Sequence, residues 1–578
     1  MIFKLLTIFF ISLKINYYNF IKNLIANKMC YLKVVSISLF LFLFSNFCEA
    51  QISITDKDYK LNYSNQKIEV NFYPKNNEIT NFQILDASTN QIINYTKNGN
   101  TFNIDNPINA QILKVTYNSN NNSVTNYIAT KSNSTGDIKV FFNHPVDISF
   151  AQTQNGINLS NTLDDKLIQY INECQLTLDI AIYNSYSPSA TTGIAGAINA
   201  AFTRGVQVRL IYDGSTSSVM IPLINALIPR VASPQGVNYG IMHNKFVIFD
   251  ANNTDPNKPL VWTGSTNWTI AQIDGPDKNS AIVIQDQALA LGYKIEFEEM
   301  WGSNNMVSNA TISKFGKFKS DNTPHNYVIG GKQIENYFSP TDGTTAKIIN
   351  AINSADSDME IATMLETRTD IETSIINKFN SGISNISLIV DSQNPSGNQF
   401  PALQSGLSPN HAKISTLSGI MHHKFVVIDN FNANSDPQVL IGSHNWSNSA
   451  ETKNDENTLV VHDANITNQY FQAFAYLYQH SGGVFSPNLA TENNTFKNSE
   501  INIFPNPTNG IININNYSKN NNENTVINVT DMLGRNILYK SNTIEANNTI
   551  DLSNQQNGIY FLQIENQSKI SNFKIIKQ

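Results

Sequence analysis

Through residues 51 to 135 apolar and polar positions alternate in short runs, such as Ile68-Glu69-Val70-Asn71-Phe72, with Asn-rich turns between them. A period of two turns one face of each run toward a core, which predicts short strands in a small β-sandwich. From residue 138 the pattern changes. Unbroken apolar runs at 176–183 and 206–212 alternate with helical periods at 163–174 and 194–202. Runs buried on both faces, separated by helices, belong to layered α/β folds. The same order then recurs: a helix through Ile348 and Ile352, a strand at 359–364, a helix at 371–379 and a strand at 386–390. A long helical stretch closes each series, at 289–301 and 467–479. Period-two runs return over 499–578 in six or seven short pieces. The expected fold is therefore α/β, with two pseudo-twofold halves at 138–305 and 333–482. One β-sandwich (51–135) precedes them and another (499–578) follows.

Inside the repeat one stretch occurs twice. The first copy is Gly240-Ile241-Met242-His243-Asn244-Lys245-Phe246-Val247-Ile248-Phe249-Asp250, and the second is Gly419-Ile420-Met421-His422-His423-Lys424-Phe425-Val426-Val427-Ile428-Asp429. Each leads through a polar loop to an apolar run ending in Gly-Ser-x-Asn-Trp, at Gly264, Ser265, Asn267, Trp268 and at Gly442, Ser443, Asn445, Trp446. Residues two apart on a strand share a face, so His243 points with Lys245 and His422 with Lys424. Asp250 and Asp429 fall on the other parity at the strand end, where they are expected to brace the loop. Packed face to face, the halves would gather two imidazoles, two ammonium groups and two amides, without clustered carboxylates or Cys ligands. That inventory suits displacement at a phosphodiester. Lys and Asn hold the non-bridging oxygens, one neutral imidazole attacks phosphorus, and a protonated one donates to the leaving oxygen. Two neighbouring imidazoles titrate as a pair, which predicts one neutral and one charged near neutral pH. No metal and no cofactor are expected.

Other histidines carry less. His325, His462 and His480 have no counterpart in the repeat and are expected to pack or lie at the surface. His411-Ala412-Lys413 lacks the apolar run and the Asp. His423 and His444 alternate away from the motif face. Trp268 and Trp446 are expected behind the Asn loops.

At 578 residues, with net charge −7 and only 14% charged residues, the composition points away from a broad basic face for nucleic acid, though it leaves room for a local positive site. Residues 1–50 hold two apolar stretches. The second has a signal-peptide form: Met29 as the expected start, Lys33, an apolar run 34–44, and Cys48-Glu49-Ala50 before cleavage. Cleavage there leaves Cys174 as the only cysteine, which precludes an internal disulfide.

The paired H-x-K-x4-D segments with Gly-Ser-x-Asn resemble the phospholipase D superfamily. The stretch Glu451-Thr452-Lys453-Asn454-Asp455-Glu456-Asn457 is similar to its compact bacterial nuclease branch. The resemblance covers residues 138 to 482 and implies a metal-independent mechanism through a phosphohistidine. His243, Lys245, Asn267, His422, Lys424 and Asn445 would be catalytic, with Asp250, Ser265, Asp429, Ser443 and Glu456 in support. It implies that an acidic residue after the second Asn orients the imidazole of its own half, a role that Glu456 fits for His422. In the first copy, Asn279-Ser280-Ala281 places Ala281 where that carboxylate is expected, with Asp274 or Asp277 as substitutes. It points to His243 as nucleophile and His422 as acid/base. Residues 499–578, from Ile503-Phe504-Pro505-Asn506-Pro507 to Lys574-Ile575-Ile576-Lys577, resemble the type A sorting domain of the type IX secretion system. That implies export through this machinery to the outer surface or the medium.

The expected activity is hydrolysis or transfer of a glycerophospholipid head group by a monomer at a membrane surface. A secreted nuclease using the same site is the alternative, and a phosphate-binding scaffold without activity is the third reading.

Overall fold

The computed structural model describes residues 52–484 and 501–578, less short stretches at 56–58, 65–66, 73–78, 106, 120–121, 384, 392–396, 408–410, 517–523, 532–535, 544–546 and 567–568. The expected signal region, 1–50, lies outside the described residues.

Two eight-stranded sheets form the centre. The first runs, in spatial order, Ile157–Asn158, Ile138–Phe142, Ser280–Ile284, Leu260–Gly264, Lys245–Phe249, Thr177–Ile182, Gln207–Tyr212, Arg230–Ala232. The second runs Asn326–Ile329, Lys332–Ser339, Glu456–Val461, Gln438–Gly442, Lys424–Ile428, Asp358–Thr363, Asn385–Val390, Ala412–Ile414. From the second position onward the two orders correspond strand by strand, so the repeated sequence pattern is a repeated fold.

Alternation along the motif strands explains the layering. Phe246, Ile248, Phe425 and Val427 point into one core that also holds the helices Gln287–Trp301 and Ala464–Gln479. Val247 and Phe249 face outward into a second core, covered by Leu163–Glu173 and Gly193–Thr203. Val426 and Ile428 do the same in a third, under Thr344–Ser354 and Thr369–Asn380. Burial on both faces is why these strands read as unbroken apolar runs. Each large side chain so buried stabilises by about 1.5–3 kcal/mol. The long helices start alike: Asp286 accepts from Leu289 N and Asp463 from Ile466 N, each capping a first turn.

The N-terminal unit packs a five-stranded sheet and a three-stranded sheet (Thr80–Asp86, Ile112–Ser119, Asn122–Ala129) around Leu61, Val70, Phe102 and Val115. The C-terminal unit has seven strands in sheets of three and four around Ile512, Val529, Leu562 and Ile575. Cys174 follows the helix Leu163–Glu173 and is buried.

Two histidines outside the motif are ionic rather than packing residues. His325 lies 3.1 Å from Asp321 and 3.8 Å from Asp342, and His462 lies 2.8 Å from Asp436 and 3.0 Å from Glu335. Burial opposes their protonation, but these carboxylates outweigh it and push each imidazole up to about 9. A histidine raised on folding adds stability that is complete below its unfolded value of roughly 6.5 and is lost as pH rises through the folded value. His462→Gln should therefore lower the melting temperature clearly at pH 6 and hardly at all above pH 9. The cost at pH 6 is about 2 kcal/mol, allowing for the exposed Asp436 partner. Thermal unfolding of both proteins across that range measures it, and an equal gap at both ends would refute the ionic role.

Candidate active site

The motif strands begin at Lys245 and Lys424, not at the histidines. His243 and His422 stand two residues earlier, in segments that leave their own sheet and bridge to the other half. Met242 pairs with Asp455, and Met421 with Lys278. His243 N donates to the Asp455 carbonyl and His422 N to the Lys278 carbonyl, both at 2.9 Å. Asp213 and Asp391, where the preceding strands close, accept from Met242 N (2.7 Å) and Met421 N (2.8 Å). Each histidine is thus fixed by its own half from one side and by the opposite half from the other.

The side chains cross over in the same way. His243 Nδ1 lies 2.7 Å from Glu456 Oε2, and His422 Nδ1 lies 2.9 Å from Asn279 Oδ1. Both partners accept, so each Nδ1 carries the proton and each Nε2 keeps its lone pair. Ser443 Oγ donates to Glu456 (2.8 Å) and Ser265 Oγ to Asn279 (3.3 Å). Lys245 Nζ donates to the His243 carbonyl (2.6 Å) and Lys424 Nζ to the His422 carbonyl (2.7 Å), which leaves further N–H groups on each ammonium. Asn267 Oδ1 and Asn445 Oδ1 are buried without a partner. An amide oxygen only accepts, so a phosphate oxygen, itself an acceptor, would be met by the Nδ2 group of each amide and not by these atoms.

Two expectations need correction. Glu456 orients His243 of the other half, not His422 of its own. Its counterpart in the first half is Asn279, not Ala281: Gly264 pairs with Ala281 and Gly442 with Thr458, which aligns Asn279 with Glu456. The error is a slip of two residues, which keeps every side chain on the same strand face and so leaves the apolar pattern unchanged. Neither substitute reaches an imidazole: Asp277 accepts from Ile420 N (2.8 Å), and Asp274 interacts with Asp164.

Electrostatics also depart from the expected neutral and charged pair. Burial drives His243 down to about 4 against the pull of Glu456, and it drives His422 well below its ordinary range, helped by Lys424 and Lys245. Burial likewise lowers Lys245 to about 7 and Lys424 well below the usual ammonium range. Glu456 resists burial and stays low because His243 and Lys245 favour its charge. Near neutral pH these surroundings favour two neutral imidazoles. An entering phosphodiester anion reverses that balance, since negative charge favours protonated imidazole and ammonium.

The remaining residues frame the cleft. Asp250 accepts from the backbone N–H of Gln175, Leu176 and Thr177, and Asp429 from those of Asp356 and Ser357. Trp268 and Trp446 are buried, and their backbones bridge to Ser185 and Glu366. Gly264 and Gly442 lie so close to the Ser280 and Asn457 carbonyls that no β-carbon fits. His144 and His423 face each other through their Nε2 atoms at 2.7 Å inside the core. His444 is buried 3.6 Å from Glu451, and His411 turns to the Ile386 carbonyl. Among the described residues the one trio with metal-like spacing is Asp321, His325 and Asp342, which lies outside the motifs.

Sequence reasoning missed Tyr183. Its ring lies 4.7 Å from the His243 ring, with Lys245 Nζ 5.2 Å from its centroid. In the other half Met364 takes that place, its sulfur 3.9 Å from Lys424 Nζ. The signal was its position as last residue of an apolar run, where strands deliver side chains to a site. A cavity of about 420 Å³ adjoins this side, between Asp213, Gln235, Tyr239 and Ile241 of the first half and Lys453 and Asn454 of the second.

Residues 167–301 and 348–478 match the family described as cardiolipin synthase, PLD-like domain, and residues 502–578 match the secretion system C-terminal sorting domain. Residues 167–301 and 348–478 are thus similar to a phospholipase D-like domain in two halves, and the match at 502–578 supports secretion or an outer-surface location. A phospholipase D of Rickettsia prowazekii is 24% identical over 32% of this chain and 84% of its own. A mitochondrial cardiolipin hydrolase of Xenopus tropicalis is 40% identical over 14% of this chain, which spans about a third (36%) of that relative. Among solved structures, Nuc of Salmonella typhimurium, a phospholipase D family member, is 21% identical, with a TM-score of 0.23 over 27% of this chain and 99% of its own.

Proposed function

We propose that this protein is an exported phospholipase D-type phosphodiesterase that cleaves the head-group phosphodiester of glycerophospholipids. The observation that carries the reading is the crossed pair of imidazoles, each with Nδ1 engaged and Nε2 free, beside the two lysines and two asparagines of the repeated motif. Lys245, Lys424, Asn267 and Asn445 hold the non-bridging oxygens. His243 Nε2 attacks phosphorus and forms the P–N bond as the P–O bond to the head group breaks. Protonated His422 gives its proton to the departing oxygen. Water then attacks phosphorus, His422 takes its proton, and the P–N bond breaks. Residues 29–50 direct the chain out of the cytoplasm, the sorting domain hands it to the type IX machinery, and it acts as a monomer.

The test is to incubate purified protein in chelator with phospholipid in detergent micelles and, separately, with single-stranded DNA. Head-group release at an undiminished rate, with DNA intact, is the expected result. DNA cleavage without lipid turnover would replace the lipid reading with the nuclease one. Activity restored only by a divalent ion would overturn the metal-independent mechanism.

A further inference from the structure

A small amphipathic edge stands beside the cavity lined by Asp213, Tyr239 and Lys453. Val237 is 94% exposed and Phe318 46%, although both are large apolar residues. They come from different segments, a loop of the first half and the linker between halves. Two contacts join the two segments, and a third ties the linker to Lys453 of the second half. The Phe318 and Tyr239 rings pack 5.2 Å apart, and Lys317 Nζ donates to Asn238 Oδ1 at 3.2 Å. Gly316, with φ of +55°, lies so near Lys453 that a β-carbon would come within 2.7 Å of its carbonyl. Lys317 and Lys453, both exposed, therefore flank the apolar pair. Lys453 and Tyr239 also line the cavity, which makes the edge continuous with it.

Single exposed apolar side chains need no explanation, but a branched aliphatic and an aromatic between two lysines, beside a cavity between the halves, do. We infer that the Val237–Phe318 edge, with Lys317 and Lys453, seats the protein on an anionic phospholipid surface. The inference rests on the lipid reading above and adds the surface by which that lipid is met. Aromatic and aliphatic tips enter the boundary between head groups and acyl chains, while lysines beside them reach anionic head groups. The chain as a whole carries net charge −7, so these two cations supply local attraction where the global charge gives none. A nucleic-acid strand fits the edge less well. Val237 has no ring to stack on, the Tyr239 face is partly covered by Phe318, and two cations do not make a track for successive phosphates.

The experiment measures partition of the full chain between water and vesicles, either phosphatidylcholine alone or phosphatidylcholine mixed with phosphatidylglycerol. Wild type should favour the anionic vesicles and lose affinity as salt rises. Lys317→Gln and Lys453→Gln should each weaken partition about fivefold. Val237→Asp should weaken it about tenfold, and Phe318→Ser by a similar factor. Val237 is nearly fully exposed, so its replacement leaves the fold intact, and turnover of water-soluble bis(nitrophenyl) phosphate should match wild type. Unchanged partition of Val237→Asp and Phe318→Ser would overturn the inference. So would loss of single-stranded oligonucleotide binding in these variants with vesicle binding unaltered. Cleavage of a monomeric short-chain phospholipid without vesicle binding would remove the edge and leave the substrate reading. Vesicle binding that the variants abolish, with no phospholipid cleaved in any form, would do the reverse.

Discussion

His243→Ala is expected to lose turnover of every phosphodiester by roughly 10⁴- to 10⁶-fold, because no phosphoenzyme can form. His422→Ala should fall about 10²- to 10⁴-fold on a substrate with an alcohol leaving group. It should keep measurable turnover when the leaving group is a nitrophenol, which departs without a proton. The assignment comes from the crossed partners. A phosphorylated imidazole bears positive charge, and Glu456, 2.7 Å from His243 Nδ1, offsets that charge where it develops. Asn279 offers His422 only a neutral acceptor, so His422 gives up a proton more readily. A weaker hold on the proton suits an acid, and a carboxylate suits a nucleophile. Acid quench of the intact enzyme followed by peptide mass should find phosphate on His243. Phosphate on His422 would reverse the roles.

That crossing shows how far the sequence could be read. Helices expected at 163–174 and 371–379 appear as Leu163–Glu173 and Thr369–Asn380, and the strand expected at 386–390 as Asn385–Val390. Long runs buried on both faces announce themselves, since burial and period are local properties. The six motif residues were legible for a different reason: the same polar types recur in the same frame of an otherwise apolar run. Which acid serves which imidazole is not local. It depends on segments 240–243 and 453–456 pairing across the halves, a contact between residues more than 200 apart. The two-residue slip that put Ala281 in place of Asn279 could not be seen either, because strand parity survives it. His144 against His423, and Tyr183 against His243, likewise appear only once the sheets are in register.

The unequal partners also make the site tunable, through Glu456→Gln and Asn279→Asp. Glu456 is fully buried and accepts from His243, Ser443 and Asn454 (3.2 Å), so Gln must keep those contacts with a neutral group. Its amide can also present N–H to Nδ1, which forces the proton onto Nε2 and removes the attacking lone pair. The expected loss in kcat is about 10²- to 10⁴-fold with KM little changed, since Glu456 itself does not touch substrate. Asn279→Asp works on the other ring. In the native protein burial, with Lys424 and Lys245, holds His422 well below its ordinary range. A carboxylate at its Nδ1 favours the charged ring and raises that value. An acid must be protonated to act, so the alkaline limb of the kcat profile should move to higher pH in Asn279→Asp. Activity above pH 8 should rise relative to that at pH 6. The limb set by His243 as a nucleophile, which must be unprotonated, should stay in place on the acid side. If His422 were the nucleophile, the same substitution would move the acid limb upward and leave the alkaline limb alone. Rate profiles of the two proteins from pH 4 to 9 with a substrate bearing an alcohol leaving group separate these outcomes.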